Sequence, residues 1–189
     1  GDRVPEVGCI RRHKALAQAG CVVNGSRVLL APELTDAVLS GHECVVGRSP
    51  CYWVVTRMSG RASKLSGVLR LPDGAFRIRH NFSWKGIRSC NMGVWRCDFE
   101  SVNGFDESFV GWGHEDADFV LRLHHQGVRR KNGFCGTEVY HLWHPEAARV
   151  HESLNAQTVR DRAKTNITQP LLGYAQKRIN DDAVITRLG

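Results

Sequence analysis

The sequence predicts a mixed α/β fold in which helices flank a mixed sheet. Short apolar runs typical of strands alternate with segments whose apolar residues recur at helical spacing. The length of 189 residues suffices for one domain with a hydrophobic core. Hydrophobic residues make up 42% and charged residues 24%, which is typical of a soluble globular protein. The chain has no apolar run of about 18 residues, so no membrane span is predicted.

In the first half, a short helix is predicted within residues 5–20, with Gly20 as its stop. Residues 21–30 predict two strands, and Asn24–Gly25 is a turn signal between them. A second short helix is predicted over Pro32–Leu39.

Residues 42–85 mix Gly, Ser, Pro and Arg with short apolar pieces such as 51–55, and they predict loops and short elements. The elements predicted in the second half are a buried strand at 90–95, a short helix at 98–102, a helix at 115–126 followed by Gly127, a strand at 136–141 and a polar helical tail at 152–172.

The formal net charge is +7, and basic residues cluster at 11–14, 70–85 and 129–131. Such clusters attract polyanions, although a solvated basic face is an equal alternative. The seven cysteines are odd in number and include no CxxC pair. This pattern argues against a disulfide scaffold and a zinc ribbon, and it favours reduced thiols in a cytosolic protein.

An acidic loop lies at the predicted start of the 115–126 helix, where Glu115, Asp116 and Asp118 fall within four residues. A helix N-terminus stabilises carboxylates, so these residues are open to interpretation as first-turn acids only. However, Trp112 lies between two glycines just before them. An indole can stack on a pyranose ring, and a carboxylate beside it could deprotonate a sugar hydroxyl.

The segments 103–107 and 111–118 together resemble the C-terminal motif of galactosyltransferase-type GT-A enzymes, in which NGF is followed by WGWGxEDxD. Residues 90–145 also resemble bacterial family 2 glycosyltransferases that have the same module. The resemblance implies an inverting glycosyltransferase, a hexosyltransferase-like enzyme of polysaccharide biosynthesis. It also implies a GT-A-like mixed sheet, of which this chain would be the C-terminal, acceptor-side portion.

The same resemblance implies roles for individual residues. Asp116 would be the catalytic base, and Glu115 would help to hold the acceptor sugar. Trp112 and Gly113 would form a lip over the substrates. The further substrate-binding residues implied are Asp118, Asn91, Met92 and Gly93. Ala117 departs from the family pattern, which often has an Asp at this position.

A metal site is implied as well, because the opening Gly1–Pro5 is similar to the family's Asp-Gly-Asp-x-Ile-Pro motif without its first Asp. Asp2 would then be a metal ligand, with His144 as the first choice for a second ligand and His141 as the next. An ordinary terminal Asp and a core histidine at 141 are the alternatives. Carboxylate and imidazole ligands suit Mn²⁺ or Mg²⁺.

By this resemblance, residues 1–41 would end a nucleotide-binding region, 86–150 would be the galactosyltransferase-like module and 151–189 a helical tail. The nucleotide-binding half is expected before Gly1. The 189-residue chain alone is therefore expected to bind nucleotide sugars poorly.

The expected partners are a nucleotide-sugar donor, such as a UDP-sugar, and a glycan or lipid-linked saccharide acceptor. The basic clusters suit an anionic acceptor and peripheral contact with the inner membrane face. Three alternatives stay open: a non-catalytic sugar-binding remnant, a nucleic-acid-binding module and a zinc protein. No nucleic-acid partner is expected, because no known nucleic-acid-binding pattern accompanies the charge. The cysteine and histidine spacings fit no zinc template.

Overall fold

The computed structural model of the protein describes residues 2–65, 70–145 and 149–176 and has the predicted mixed α/β class. The strands within these ranges are β1 (Arg3–Pro5), β2 (Cys21–Asn24), β3 (Ser26–Leu29), β4 (Ile78–Arg79), β5 (Met92–Gly93), β6 (Arg129–Asn132) and β7 (Glu138–His141). The α-helices are α1 (Cys9–Leu16), α2 (Pro32–Leu39), α3 (Pro50–Met58), α4 (Arg96–Ser101), α5 (Glu115–His125) and α6 (Glu152–Arg162). None of the helices in these ranges is long and apolar enough to cross a membrane.

The chain forms two compact units, each built from two chain segments. The first, here called the strand unit, comprises Gly1–Val94 and Arg129–Ala147 and contains β1 to β7 with α1 to α3. The second, here called the helical unit, comprises Trp95–Val128 and Ala148–Gly189 and contains α4, α5 and α6.

The strand unit has a three-stranded sheet of order β1-β7-β3 and a four-stranded sheet of order β4-β6-β2-β5. In the first sheet, β3 runs parallel to β7 and pairs Leu29 with His141, while antiparallel β1 pairs Arg3 with the same residue. The Leu142 N–H also donates to the Asp2 carbonyl oxygen. This register places the start of β1 beside the end of β7.

The two strands predicted in residues 21–30 are present as β2 and β3, but they lie in different sheets and do not pair with each other. Strand β2 instead pairs with β6 in parallel and with β5 in antiparallel orientation. A glycine is required at position 25 because the backbone there passes close to the Asn91 side chain: a Cβ atom would lie 2.3 Å from Cγ of Asn91. The Asn-Gly pair therefore marks a crossing between sheets.

A buried cluster on the β1-β7-β3 sheet is built around Trp53 and Tyr140, whose rings stack with centroids 4.7 Å apart. Trp53 belongs to α3, a helix that was not identified within residues 42–85, where loops and short elements were predicted. Ser49 caps this helix by accepting a hydrogen bond from the Tyr52 N–H, and Pro50 occupies its first turn. These are ordinary helix-start signals, which the β-branched pair Val54–Val55 obscured in the sequence.

In the helical unit, α5 matches its predicted span to one residue, and Gly127 after it has φ +82°. Helix α4 begins two residues earlier than predicted. Helix α6 ends at Arg162 rather than near Leu172. At this observed end, the Thr165 hydroxyl donates a hydrogen bond to the Arg162 carbonyl oxygen.

Of the strand predicted at 90–95, only the two residues of β5 are in a strand, and a short 3₁₀ turn over Ser89–Asn91 precedes them. The pairing of β5 with β2 involves two residues of each strand, and Trp95 beyond it is exposed. An apolar run of this length did not distinguish a buried strand from a partly exposed connection.

Candidate functional site

Asp2, His141 and His144 come together in the strand unit, as the register of β1 and β7 requires. Nε2 of His141 lies 2.9 Å from Oδ2 of Asp2 and 3.1 Å from Nε2 of His144. Nε2 of His144 lies 3.2 Å from the same Asp2 oxygen. The side chains of Asp2 and His144 are 36% and 47% exposed, so this triad opens to solvent.

These distances fit one face of a cation's coordination sphere. With metal–ligand bonds of about 2.0–2.2 Å, two ligands at a right angle lie about 3 Å apart. The three ligand atoms of the triad are spaced in this way, and they form the one group of three or more potential ligands found in residues 2–65, 70–145 and 149–176. One carboxylate with two imidazoles is a donor set that suits a divalent transition ion such as Mn²⁺.

The protonation of the triad also suits metal binding. Nδ1 of His144 lies 2.8 Å from the Pro145 carbonyl oxygen, which can only accept a hydrogen bond, so the lone pair of the neutral ring is on Nε2. Burial, together with the charges of Arg27 and Arg3, lowers the pKa of His141 despite its contact with Asp2. Burial opposes ionisation of Asp2, but a backbone hydrogen bond and the one to His141 outweigh it and lower its pKa.

The acidic loop lies in the helical unit. Glu115 and Asp116 are half-buried in the first turn of α5. His114, the N-cap residue, has φ +71° and Gly113 has φ +98°, so the chain enters the helix through two left-handed residues. The His114 side chain forms no capping hydrogen bond, and the N-terminal dipole of the helix favours negative charge at these two carboxylates.

Trp112 is 41% exposed on the same loop, in the helical unit. The guanidinium of Arg149 lies 4.3 Å from its ring centroid and packs on one ring face. Buried Asn155 of α6 donates hydrogen bonds to the carbonyl oxygens of Val110 and Gly113, at 3.2 and 3.0 Å. The sequence interpretation missed Arg149 and Asn155, because one basic and one polar residue in a polar tail give no local signal.

Asp118 has a different position from the one predicted for a substrate-binding residue, since its side chain is fully buried. Its Oδ2 accepts from Arg122 at 2.7 Å, and its Oδ1 accepts from Arg162 at 2.8 Å. Arg162 also lies 2.7 Å from Oδ2 of Asp106, a contact with ion-pair distance but without hydrogen-bond geometry. Because its side chain is fully buried, Asp118 cannot contact a substrate, and its role is to stabilise the helical unit through these ion pairs.

Asn91 is also buried, and its side chain connects several segments of the strand unit. Its amide nitrogen donates to the carbonyl oxygens of Ser26 and Thr137, and its Oδ1 lies 2.7 Å from Nε2 of His13. Met92 and Gly93 are half-buried in β5. The polar atoms of Asn91 are thus used within the fold, which does not support its predicted contact with substrate.

Comparison with known proteins relates part of the chain to sugar-transferring enzymes. Residues 74–145 match the family model described as the N-terminal domain of galactosyltransferase. Two validoxylamine A glucosyltransferases, from Streptomyces hygroscopicus subsp. jinggangensis (strain 5008) and subsp. limoneus, are each 40% identical to the chain over 50 residues. The matched segment is 26% of this chain but 12% and 11% of these relatives, so the chain spans a small part of their length. These similarities support a glycosyltransferase.

Proposed function

We propose that the protein is a metal-dependent, inverting glycosyltransferase that uses a nucleotide-sugar donor, such as a UDP-sugar. The observation that supports this most is the convergence of Asp2 with His141, which lies 139 residues further along the chain, and with His144. The match of residues 74–145 to a galactosyltransferase domain supports the same reaction class.

The triad would hold Mn²⁺ or Mg²⁺ through one carboxylate oxygen and two imidazole nitrogens. Such an ion neutralises negative charge on the diphosphate of a nucleotide sugar. The chain's own contribution is to hold the three ligand atoms about 3 Å apart before a cation binds, which lowers the ordering cost of binding.

Asp116 would take the proton from the acceptor hydroxyl as that oxygen attacks the anomeric carbon with inversion, and the bond from this carbon to the diphosphate oxygen would break, which releases the nucleoside diphosphate. Glu115 would accept hydrogen bonds from the acceptor sugar. The ring face of Trp112 that Arg149 does not cover would stack on a pyranose. The acceptor would be a glycan or a lipid-linked saccharide.

Binding of Mn²⁺ to the 189-residue chain tests the metal site directly. In a titration followed by electron paramagnetic resonance, we expect one bound Mn²⁺ in the wild type and at least a tenfold weaker affinity in His144→Ala. His42→Ala is a matched control, because His42 is an exposed histidine outside the triad. A wild type that binds no Mn²⁺, or an unchanged affinity in His144→Ala, would refute the metal site.

A further inference from the structure

A cavity of about 410 Å³ in the strand unit is lined by basic and neutral residues. Six cationic side chains line it, and no carboxylate does. They are Arg27, Lys64, Arg79, Lys85, Arg88 and Arg130. The metal triad and the acidic loop contribute no residue to this wall.

The six charges are not neutralised within the part of the chain that the structure describes. None of them forms an ion pair with a residue of these ranges, and their hydrogen bonds go to neutral groups. Arg130, for example, donates to the carbonyl oxygens of Ser83 and Lys85, and Lys64 donates to the Ser26 hydroxyl. Uncompensated like charges around one space favour an anion inside it.

Burial and mutual repulsion act together on two of these residues. Burial, followed by the charge of Arg88, lowers the pKa of Arg27, and burial, followed by the charge of Arg79, lowers the pKa of Arg130. A bound anion would relieve both effects, because it supplies the missing counter-charge.

The neutral residues of the cavity wall are suited to a ligand that is larger than an inorganic ion. Phe134 contributes an aromatic ring that is 36% exposed, and Asn132 and Ser63 contribute neutral polar groups. The volume falls within the range of about 300–1,000 Å³ that is usual for small-molecule sites. A sugar ring combines apolar faces with hydroxyl groups, so this wall could hold a saccharide beside its charged group.

The cavity also borders the strands that form the metal triad. Strand β3 provides Ser26, Arg27 and Leu29 to the wall and pairs with β7, whose last residue is His141. The triad is assigned to the donor diphosphate, so the cavity is available for a second anionic group.

We propose that this cavity binds the phosphate group of a phosphorylated saccharide, which serves as the acceptor. This inference rests on the proposed function and specifies the chemistry of its acceptor. A carboxylated sugar would satisfy fewer of the six cations, since a carboxylate carries one charge and a phosphate monoester up to two.

Calorimetric titration of the 189-residue chain with glucose 6-phosphate, in EDTA, tests the proposal. Glucose and inorganic phosphate are titrated in parallel. We expect glucose 6-phosphate to bind without metal, more tightly than phosphate, and glucose not to bind. Lys85→Gln combined with Arg88→Gln should weaken this binding at least tenfold, because it removes two of the six cations that line the cavity. The matched control is Lys14→Gln with Arg57→Gln, which removes the same charge at exposed positions outside the cavity.

Three results would overturn the proposal: no metal-free binding of glucose 6-phosphate, equal affinity for inorganic phosphate, or equal loss in the control variant. Failure of the proposed function would be detected in a separate measurement, the Mn²⁺ titration, as the absence of Mn²⁺ binding to the wild-type triad.

Discussion

At the scale of single residues, two neighbouring carboxylates on α5 have different environments. Asp116 is half-buried in the first turn, whereas Asp118 is fully buried between Arg122 and Arg162. The same local pattern of acids thus contains one candidate for chemistry and one residue that holds the fold together. Burial separates the two roles, and the sequence pattern alone does not.

Substitution of these two residues should therefore have opposite signatures. Asp116→Asn should lower the turnover of the full-length enzyme by about 10²–10⁴-fold, the usual contribution of a general base, with little change in melting temperature. Asp118→Asn should lower the melting temperature, because it removes a charge from a buried ion-pair network. Sugar-transfer kinetics and thermal unfolding distinguish the two, and unchanged turnover in Asp116→Asn would eliminate it as the base.

At the scale of elements, α6 is attached to α5 by charge more than by apolar contact. Its buried apolar residues are Ala156 and Val159, while Arg162 reaches both Asp118 and Asp106. Burial opposes the charged form of Arg162, but its hydrogen bond to Asp118 and its ion pair with Asp106 outweigh burial and raise its pKa. The same helix positions the acidic loop through Asn155.

Arg162→Met should destabilise the helical unit by about 3–5 kcal/mol, because breaking a buried pair leaves an uncompensated carboxylate. Hydrogen exchange should report faster exchange along α6. Arg160→Met is the control, since Arg160 is an exposed arginine on the same helix. Equal effects of the two substitutions would show that the ion pairs do not hold α6 in place.

At the scale of the whole molecule, the titration of carboxylates that are paired with cations should govern acid stability. Burial opposes ionisation of Asp73 and Asp106. The hydrogen bond from Lys131 outweighs it at Asp73, and the hydrogen bond from Ser108 with the ion pair to Arg162 outweighs it at Asp106, so both pKa values are lowered. A group whose pKa is lower in the folded state stabilises the fold above its unfolded pKa, and this stability is lost as pH falls through the folded pKa.

The free energy of unfolding should therefore decrease slightly as pH falls below about 6.5, the unfolded pKa of histidine, because the pKa of His141 is lowered in the fold, and decrease further below pH about 4, near the unfolded pKa of aspartate. Asp106→Asn should be less stable than the wild type at pH 7 and lose less stability on acidification. Urea unfolding at a series of pH values measures this. A variant with the same pH profile as the wild type would exclude Asp106 from the acid transition.

Local elements were predictable where short-range chemistry decides them. The span of α2 follows from Pro32 at its first turn, and that of α5 from its helical periodicity and Gly127. Helix α3 was missed although Ser49–Pro50 is a start signal, because β-branched residues inside it favour strands. The strands on either side of Asn24–Gly25 were predicted, but their placement in different sheets was not, because a turn signal does not specify which strands pair.

The sequence by itself determined the α/β class, the acidic loop with its tryptophan, and the side chains offered as metal ligands. Only the tertiary structure decided that Asp2 meets His141 and His144, that Asp118 is buried, and that six cations surround one cavity. The physical reason is range: propensity and periodicity act over a few residues, whereas strand register and burial depend on contacts between distant segments of the chain.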